Sequence, residues 1–189
     1  MRKTSVNRSM QTAIRKSYTN ANMLVWAKRD VKEIMNILGI SNSNWAIGGS
    51  VAGMLMGIDF GRTPHDVDII VPAGFVDIIK LKVEYSTLFR AEPATSYIDD
   101  EWRTKHFAFK SAKGYTIDII ESKDFFDETR VILDDVNVIG IDALIKHKKM
   151  YHRFKDKKDL ELLQKCAIDM GFDNIDESIN PESDIDDPV

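Results

Sequence analysis

Trp45-Ala46-Ile47-Gly48-Gly49-Ser50-Val51-Ala52-Gly53-Met54-Leu55, followed after a loop by Thr63-Pro64-His65-Asp66-Val67-Asp68-Ile69-Ile70-Val71, is the stretch that decides the fold. Residues 45–47 form a short apolar run of strand size. Gly48-Gly49-Ser50 then makes a tight turn, and the small and apolar residues from Val51 to Met56 predict a helix. Gly57, Gly61 and Pro64 mark residues 57–65 as a loop. From Asp66 to Val71 acids and apolar residues alternate until Pro72 closes the run, which predicts a strand. The order is strand, glycine turn, helix, loop, acidic strand.

Residues two apart on a strand project from the same face, so Asp66 and Asp68 stand side by side while Val67 and Ile69 turn into a core. Two carboxylates that close repel unless a cation lies between them, and hard oxygen ligands suit magnesium or manganese. The glycines at 48 and 49 let a backbone approach a phosphate closely, and Ser50 adds a hydroxyl. A third acid, Asp118, sits between Ile117 and Ile119 in the second strand of a hairpin, Lys105 to Lys110 and Tyr115 to Ile120, joined by Ser111-Ala112-Lys113-Gly114. An acid in such company is costly unless paired or bound to metal. If its strand lies beside the one carrying Asp66 and Asp68, three carboxylates meet in one cleft, as a two-metal site requires.

Working outward, apolar residues at Met23, Val25, Trp26, Ile34, Ile37 and Leu38 predict a helix over 19–38, with Gly39 as its stop signal. Residues 75–83 read as a helix, 84–104 carry no clear pattern, and 131–139 hold a short strand or turn. Two helices follow over 142–154 and 156–170, broken near Lys155. At helical spacing Lys146, Lys149 and Arg153 share one stripe suited to a triphosphate, while Asp156 reads as the cap of the last helix with Asp159 one turn inside it. Arg62 reads as a phosphate contact or a surface residue. Trp26, Trp45 and Trp102 read as core anchors. A small mixed sheet flanked by helices, an α+β fold, is the expected architecture, with one domain over 1–170 and an acidic, disordered tail over 171–189.

Charge and composition narrow the function classes. The net charge of -4 conceals a tail with seven acids and no base, so residues 1–170 carry 26 bases against 23 acids, too weak a surplus to argue nucleic-acid binding. The lone Cys166 excludes an internal disulfide, and no apolar run reaches the length of a membrane span. The chain therefore reads as soluble and cytoplasmic, without a membrane partner. His106, His147 and His152 show no zinc-ligand spacing, and His65, next to the acid pair, reads as a phosphate contact or the end of a loop.

Gly48-Gly49-Ser50, then Asp66-Val67-Asp68-Ile69, then Ile117-Asp118-Ile119, resembles the nucleotidyltransferase superfamily that includes DNA polymerase β. Its pattern is an apolar residue before a Gly-Gly or Gly-Ser turn, an acid-x-acid strand, and a later single acid between apolar residues. The likeness spans residues 45 to about 120. Around Gly49 the chain is similar to the head of tRNA nucleotidyltransferases and poly(A) polymerases, but Ala52 and Gly53 replace their Arg-Asp and their base-selecting motifs are missing. Lys155-Asp156-Lys157-Lys158-Asp159-Leu160 is similar to the segment after the core in small stand-alone members.

The resemblance implies a polymerase β palm-like fold and transfer of an NMP from an NTP to an acceptor hydroxyl with release of pyrophosphate. It implies two Mg2+ (or Mn2+) ions on Asp66, Asp68 and Asp118, and nucleotide binding by Gly48, Gly49, Ser50, Lys146, Lys149 and Arg153. The acceptor, small molecule, RNA or protein, stays open. The rival readings are an inactive nucleotide-binding or toxin–antitoxin partner module and a glycosyltransferase using the Asp66-x-Asp68 pair.

Overall fold

The computed structural model describes the backbone of residues 4–99, 104–111, 114–151 and 154–172, and side chains over 21–89, 105–111, 114–151 and 156–172. The chain runs α1 (Thr4–Ile37), β1 (Ala46–Ile47), α2 (Gly49–Leu55), β2 (Asp66–Pro72), α3 (Phe75–Glu84), β3 (Arg90–Asp99), β4 (Thr104–Lys110), β5 (Thr116–Ser122), β6 (Arg130–Leu133), β7 (Val136–Ile139), α4 (Ile141–Tyr151) and α5 (Phe154–Asp169). The seven described strands form one mixed sheet in the order β3-β4-β5-β2-β1-β7-β6, flanked by helices as the α+β expectation holds. β2 is parallel to β5 and antiparallel to β1, and β4 is antiparallel to β5.

The alternation along β2 and β5 divides the sheet into two unlike faces. Val67, Ile69, Ile117 and Ile119, with Phe107 and Phe109 of β4, are wholly or almost wholly buried and form the core face. Helix α3 packs on this side through Val76, Ile79 and Val83, and its Asp77 pairs with Lys105. Trp26 of α1 lies against Tyr115 with ring centroids 4.3 Å apart. The opposite face carries Asp66, Asp68 and Asp118 at one end and the buried Ile70 and Ile120 at the other; α2 packs on β2, with α4 against α2.

Four expectations from the sequence are corrected. The first helix begins at Thr4 and runs 34 residues, not from 19. Its buried stripe is Met23, Trp26, Ala27, Asp30, Val31, Ile34 and Met35, continued by Leu38 just past its end, a 3-and-4 spacing that leaves Val25 and Ile37 on the exposed side at 59% and 52%. The patternless 84–104 contains β3, an edge strand whose register shifts between Ala91 and Ser96, the stretch holding Pro93; an edge tolerates proline and irregular pairing. Residues 131–139 form a hairpin, not a single strand or turn. Asp134 and Asp135 both have positive φ (49° and 63°), the twist that a two-residue turn between right-handed strands needs, and Lys28 of α1 pairs with Asp134.

Two last helices are present, over 141–151 and 154–169, but Phe154 and Lys155 belong to the second of them, so the break falls before Phe154 and not near Lys155; the tail from 173 lies outside the described residues. Trp45 and Trp26 are core residues as read, and Trp102 falls outside the described residues. Among the described residues no helix is long and apolar enough to cross a membrane.

Gly53 shows why the short α2 is built from small residues. A Cβ there would overlap the edge of the Phe60 ring, itself buried at 3%, and would touch Leu144 of α4. Alanine is ordinarily better than glycine inside a helix, but overpacking a filled core costs about 1–3 kcal/mol and reverses the sign here. Gly53→Ala should lower the urea midpoint with an unchanged slope. A raised midpoint would mean that the Phe60 ring yields without cost.

Candidate metal centre

Parallel pairing of β2 with β5 sets Asp68 directly opposite Asp118 and Asp66 opposite Thr116. All three aspartates thus leave the same face of adjacent strands. One carboxylate oxygen from each of Asp66, Asp68 and Asp118 lies within 4.8 Å of the others; Asp66 is exposed and the other two are half-buried. Ligands at about 2.1 Å around an octahedral magnesium stand about 3 to 4.2 Å apart, so the three oxygens need only small side-chain rotations to share an ion. An all-carboxylate donor set is also the right chemistry for magnesium or manganese and the wrong one for zinc.

The glycine turn is built onto one of these acids. Gly48 N–H donates to the Asp68 carbonyl at 2.8 Å, tying the turn to β2. Gly49 has a φ of +57°, and a Cβ built on it would coincide with Asp68 Oδ2. Only a residue without a side chain lets the carboxylate stand there. The turn predicted to meet phosphate and the acid predicted to hold metal are therefore in van der Waals contact. A Cβ at Gly48 would also fall 2.7 Å from Ile70 Cγ1, so both glycines are packing requirements.

His106 was legible in the sequence only as a histidine without zinc spacing. It is buried on β4, two places along the same face from Ala108, the residue opposite Asp118, and its Nδ1 lies 3.6 Å from Asp118 Oδ2. That distance is too long for a hydrogen bond and short enough for the charge on either group to be felt by the other. His65, next to the acid pair in sequence, is exposed.

Ser50 accepts a hydrogen bond from Arg62 Nη2 at 2.6 Å, and the same nitrogen donates to Asp159 Oδ2 at 2.6 Å. Asp159 Oδ2 also receives Lys148 Nζ at 2.7 Å, and Lys148 reaches Asp156 Oδ1 at 2.8 Å. Lys148, Asp156 and Asp159 are 3%, 0% and 2% exposed. Asp156 does lie in the first turn of α5, but its carboxylate serves this buried ion network. Lys148 went unnoticed in the sequence. The signal was present, since Ile141, Leu144, Ile145 and Lys148 keep the spacing of one helical face and the first three are core residues.

The basic stripe is only partly assembled. Lys146 is exposed and bonded to Asp124 at 2.7 Å, which raises the lysine pKa and lowers that of the aspartate. Lys149 is half-buried on α4, and Arg153 lies outside the described residues. Lys146 borders a cavity of about 240 Å³ with Ile120, Glu128, His147, Met150 and Tyr151. Burial pushes the Glu128 carboxyl up, but hydrogen bonds from His147, at 2.7 Å, and Ser122, with nearby positive charge, outweigh it and hold the group below its ordinary value.

No protein-family model matches the chain, and no curated protein is significantly similar to it. Among solved structures, JHP933 from Helicobacter pylori aligns at 13% identity and a TM-score of 0.40 over 73% of this chain; the match spans 66% of that protein, just under two thirds of its length. An antigenic nucleotidyltransferase-like protein from Paracoccidioides brasiliensis aligns at 14% identity and a TM-score of 0.44, over 78% of this chain and 76% of that one.

Two outcomes follow from the geometry. Gly49→Ala should displace the Asp68 carboxylate and abolish Mn2+ binding followed by electron paramagnetic resonance, with helix content unchanged by circular dichroism; retained binding would show that Asp68 is not a ligand. Lys148→Ala leaves two buried carboxylates without their ammonium partner, a defect that typically costs about 3–5 kcal/mol, and denaturant unfolding should register a loss of that size.

Proposed function

We propose that the chain is a metal-dependent nucleotidyltransferase that moves an NMP from an NTP to an acceptor hydroxyl and releases pyrophosphate. The observation that carries this reading is the meeting of Asp66, Asp68 and Asp118 on two adjacent parallel strands, with the Gly48-Gly49-Ser50 turn pressed against Asp68. The order of these parts in the chain is that of the nucleotidyltransferase pattern the sequence resembles, and the pairing of β2 with β5 brings its three acids together.

Asp66 and Asp68 would hold two Mg2+ or Mn2+ ions and Asp118 one of them. Bound there, the ions would neutralise phosphate charge and lower the pKa of the attacking hydroxyl. Asp118 also accepts the proton of that hydroxyl, and buried His106 beside it limits the directions its carboxylate can take. Backbone N–H groups of Gly49 and Ser50, with the Ser50 hydroxyl, donate to the β and γ phosphates. Lys149, Arg153 and Lys146 are the cations for the departing pyrophosphate. Lys146 takes this part by exchanging Asp124 for a phosphate oxygen. The acceptor, whether small molecule, RNA end or protein, presents its hydroxyl to Asp118. The lone Cys166 suits a reducing cytoplasm as the place of work.

The test is label transfer. Incubation with α-labelled NTPs, magnesium or manganese and a broad acceptor extract should give a labelled acceptor and free pyrophosphate. Asp68→Ala should fall below about 1% of that rate, since even outer-shell losses at a metal cost about 10- to 100-fold. Nucleotide binding without any transfer would replace this reading with that of an inactive nucleotide-binding partner module, and undiminished transfer by Asp68→Ala would overturn the metal mechanism.

A further inference from the structure

The ion network behind Ser50 assigns a part to Arg62 that neither its position in the loop nor its charge announces. Arg62 Nη2 has two hydrogens, one directed to Ser50 Oγ and one to Asp159 Oδ2, both at 2.6 Å. A guanidinium only donates, whereas a hydroxyl has one proton to give and lone pairs to receive. Because Arg62 occupies a lone pair of Ser50, the serine proton must point elsewhere.

Nη2 of Arg62 is committed to these two partners, while its Nε is buried without a hydrogen-bond partner among the described residues. Asp159 is shared with Lys148, and Lys148 with Asp156, so these two cations balance these two anions. The cations both lie 5.8 Å from the centre of the buried Phe60 ring, and three of the four charged groups are nearly or wholly removed from water. Drawing Arg62 out toward a triphosphate would leave Asp159 with less than its share of positive charge in a poorly solvating place, which is costly. The network also joins parts distant in sequence: the phosphate turn, the loop at 62, α4 and α5.

We infer that Arg62 is a positioning residue: it turns the Ser50 hydroxyl proton toward the bound phosphate, is held in place by Asp159 and Lys148, and does not itself touch the nucleotide. This inference rests on the proposed nucleotide binding. Through it the seating of α5 controls a hydrogen-bond donor in the turn after β1.

A double-mutant cycle tests this by calorimetric titration of the full chain with ATP, CTP, GTP and UTP in magnesium, and with inorganic triphosphate. Ser50→Ala should weaken the best-bound nucleotide by roughly 3- to 10-fold, the worth of one neutral hydrogen bond. Arg62→Gln should weaken it similarly in the wild-type background and by less than about twofold in the Ser50→Ala background, because both changes remove the same bond. An equal loss in both backgrounds would mean that Arg62 contacts phosphate directly or acts only on the fold, and would overturn the inference while leaving nucleotide binding intact. Should Arg62→Gln not fold, Arg62→Lys, which keeps a cation on Asp159, enters the cycle with the same expectation. A wild-type chain that binds none of the four nucleotides overturns the functional reading and this inference together.

Discussion

The register between β2 and β5 is the constraint on which the rest depends. With Asp68 opposite Asp118, the acids share one face and Val67, Ile69, Ile117 and Ile119 share the other. A slip of β2 by one residue against β5 would turn Asp66 and Asp68 into the apolar core and Val67 and Ile69 out of it. Burial of the aliphatic face therefore enforces the convergence of the acids. The repulsion among three carboxylates is met by the folding energy of the hydrophobic side, at roughly 1.5–3 kcal/mol for each fully buried aliphatic residue.

A second layer of order comes from charges taken out of water. Lys148, Asp156 and Asp159 contribute little net stability as a set compared with an apolar core of the same volume, yet removing any one exposes the others to a large penalty. Such a set tolerates few alternative arrangements. It fixes how α4 and α5 meet and, through Arg62, where the loop before β2 stands relative to the glycine turn. The site is thus supported from beneath by the sheet register and from the side by an ion network.

Much of this was legible in the sequence for definite reasons. The β2 acids announced themselves because period-2 alternation survives any tertiary context that buries one face, and Asp118 because an acid between isoleucines demands an explanation. Two short β-hairpin strands were visible by the same alternation. The extent of α1 was not, since the thin apolar spacing of Val6, Met10, Ile14 and Tyr18 is easily passed over among basic and polar residues. Its inner half was blurred because lysines and arginines sit between Met23, Ala27, Val31 and Met35. β3 was hidden by Pro93 and an irregular register, and the β6–β7 hairpin by a turn made of two aspartates where glycine or asparagine would have signalled it. In the site, Lys148 and His106 were missed because polar residues on buried faces imitate solvent-facing ones until their neighbours are known.

The contact between Gly49 and Asp68 has a consequence for how this chain can change over generations. Because the turn has no room for a side chain while Asp68 Oδ2 occupies that space, the two positions cannot drift independently. Loss of the acid would release the steric ban on residue 49, leaving only its left-handed backbone to favour glycine. Regaining the acid after a side chain had entered would require residue 49 to return to glycine first. The pair works as a ratchet: a lineage that gives up the carboxylate and then fills the turn has no single-step route back.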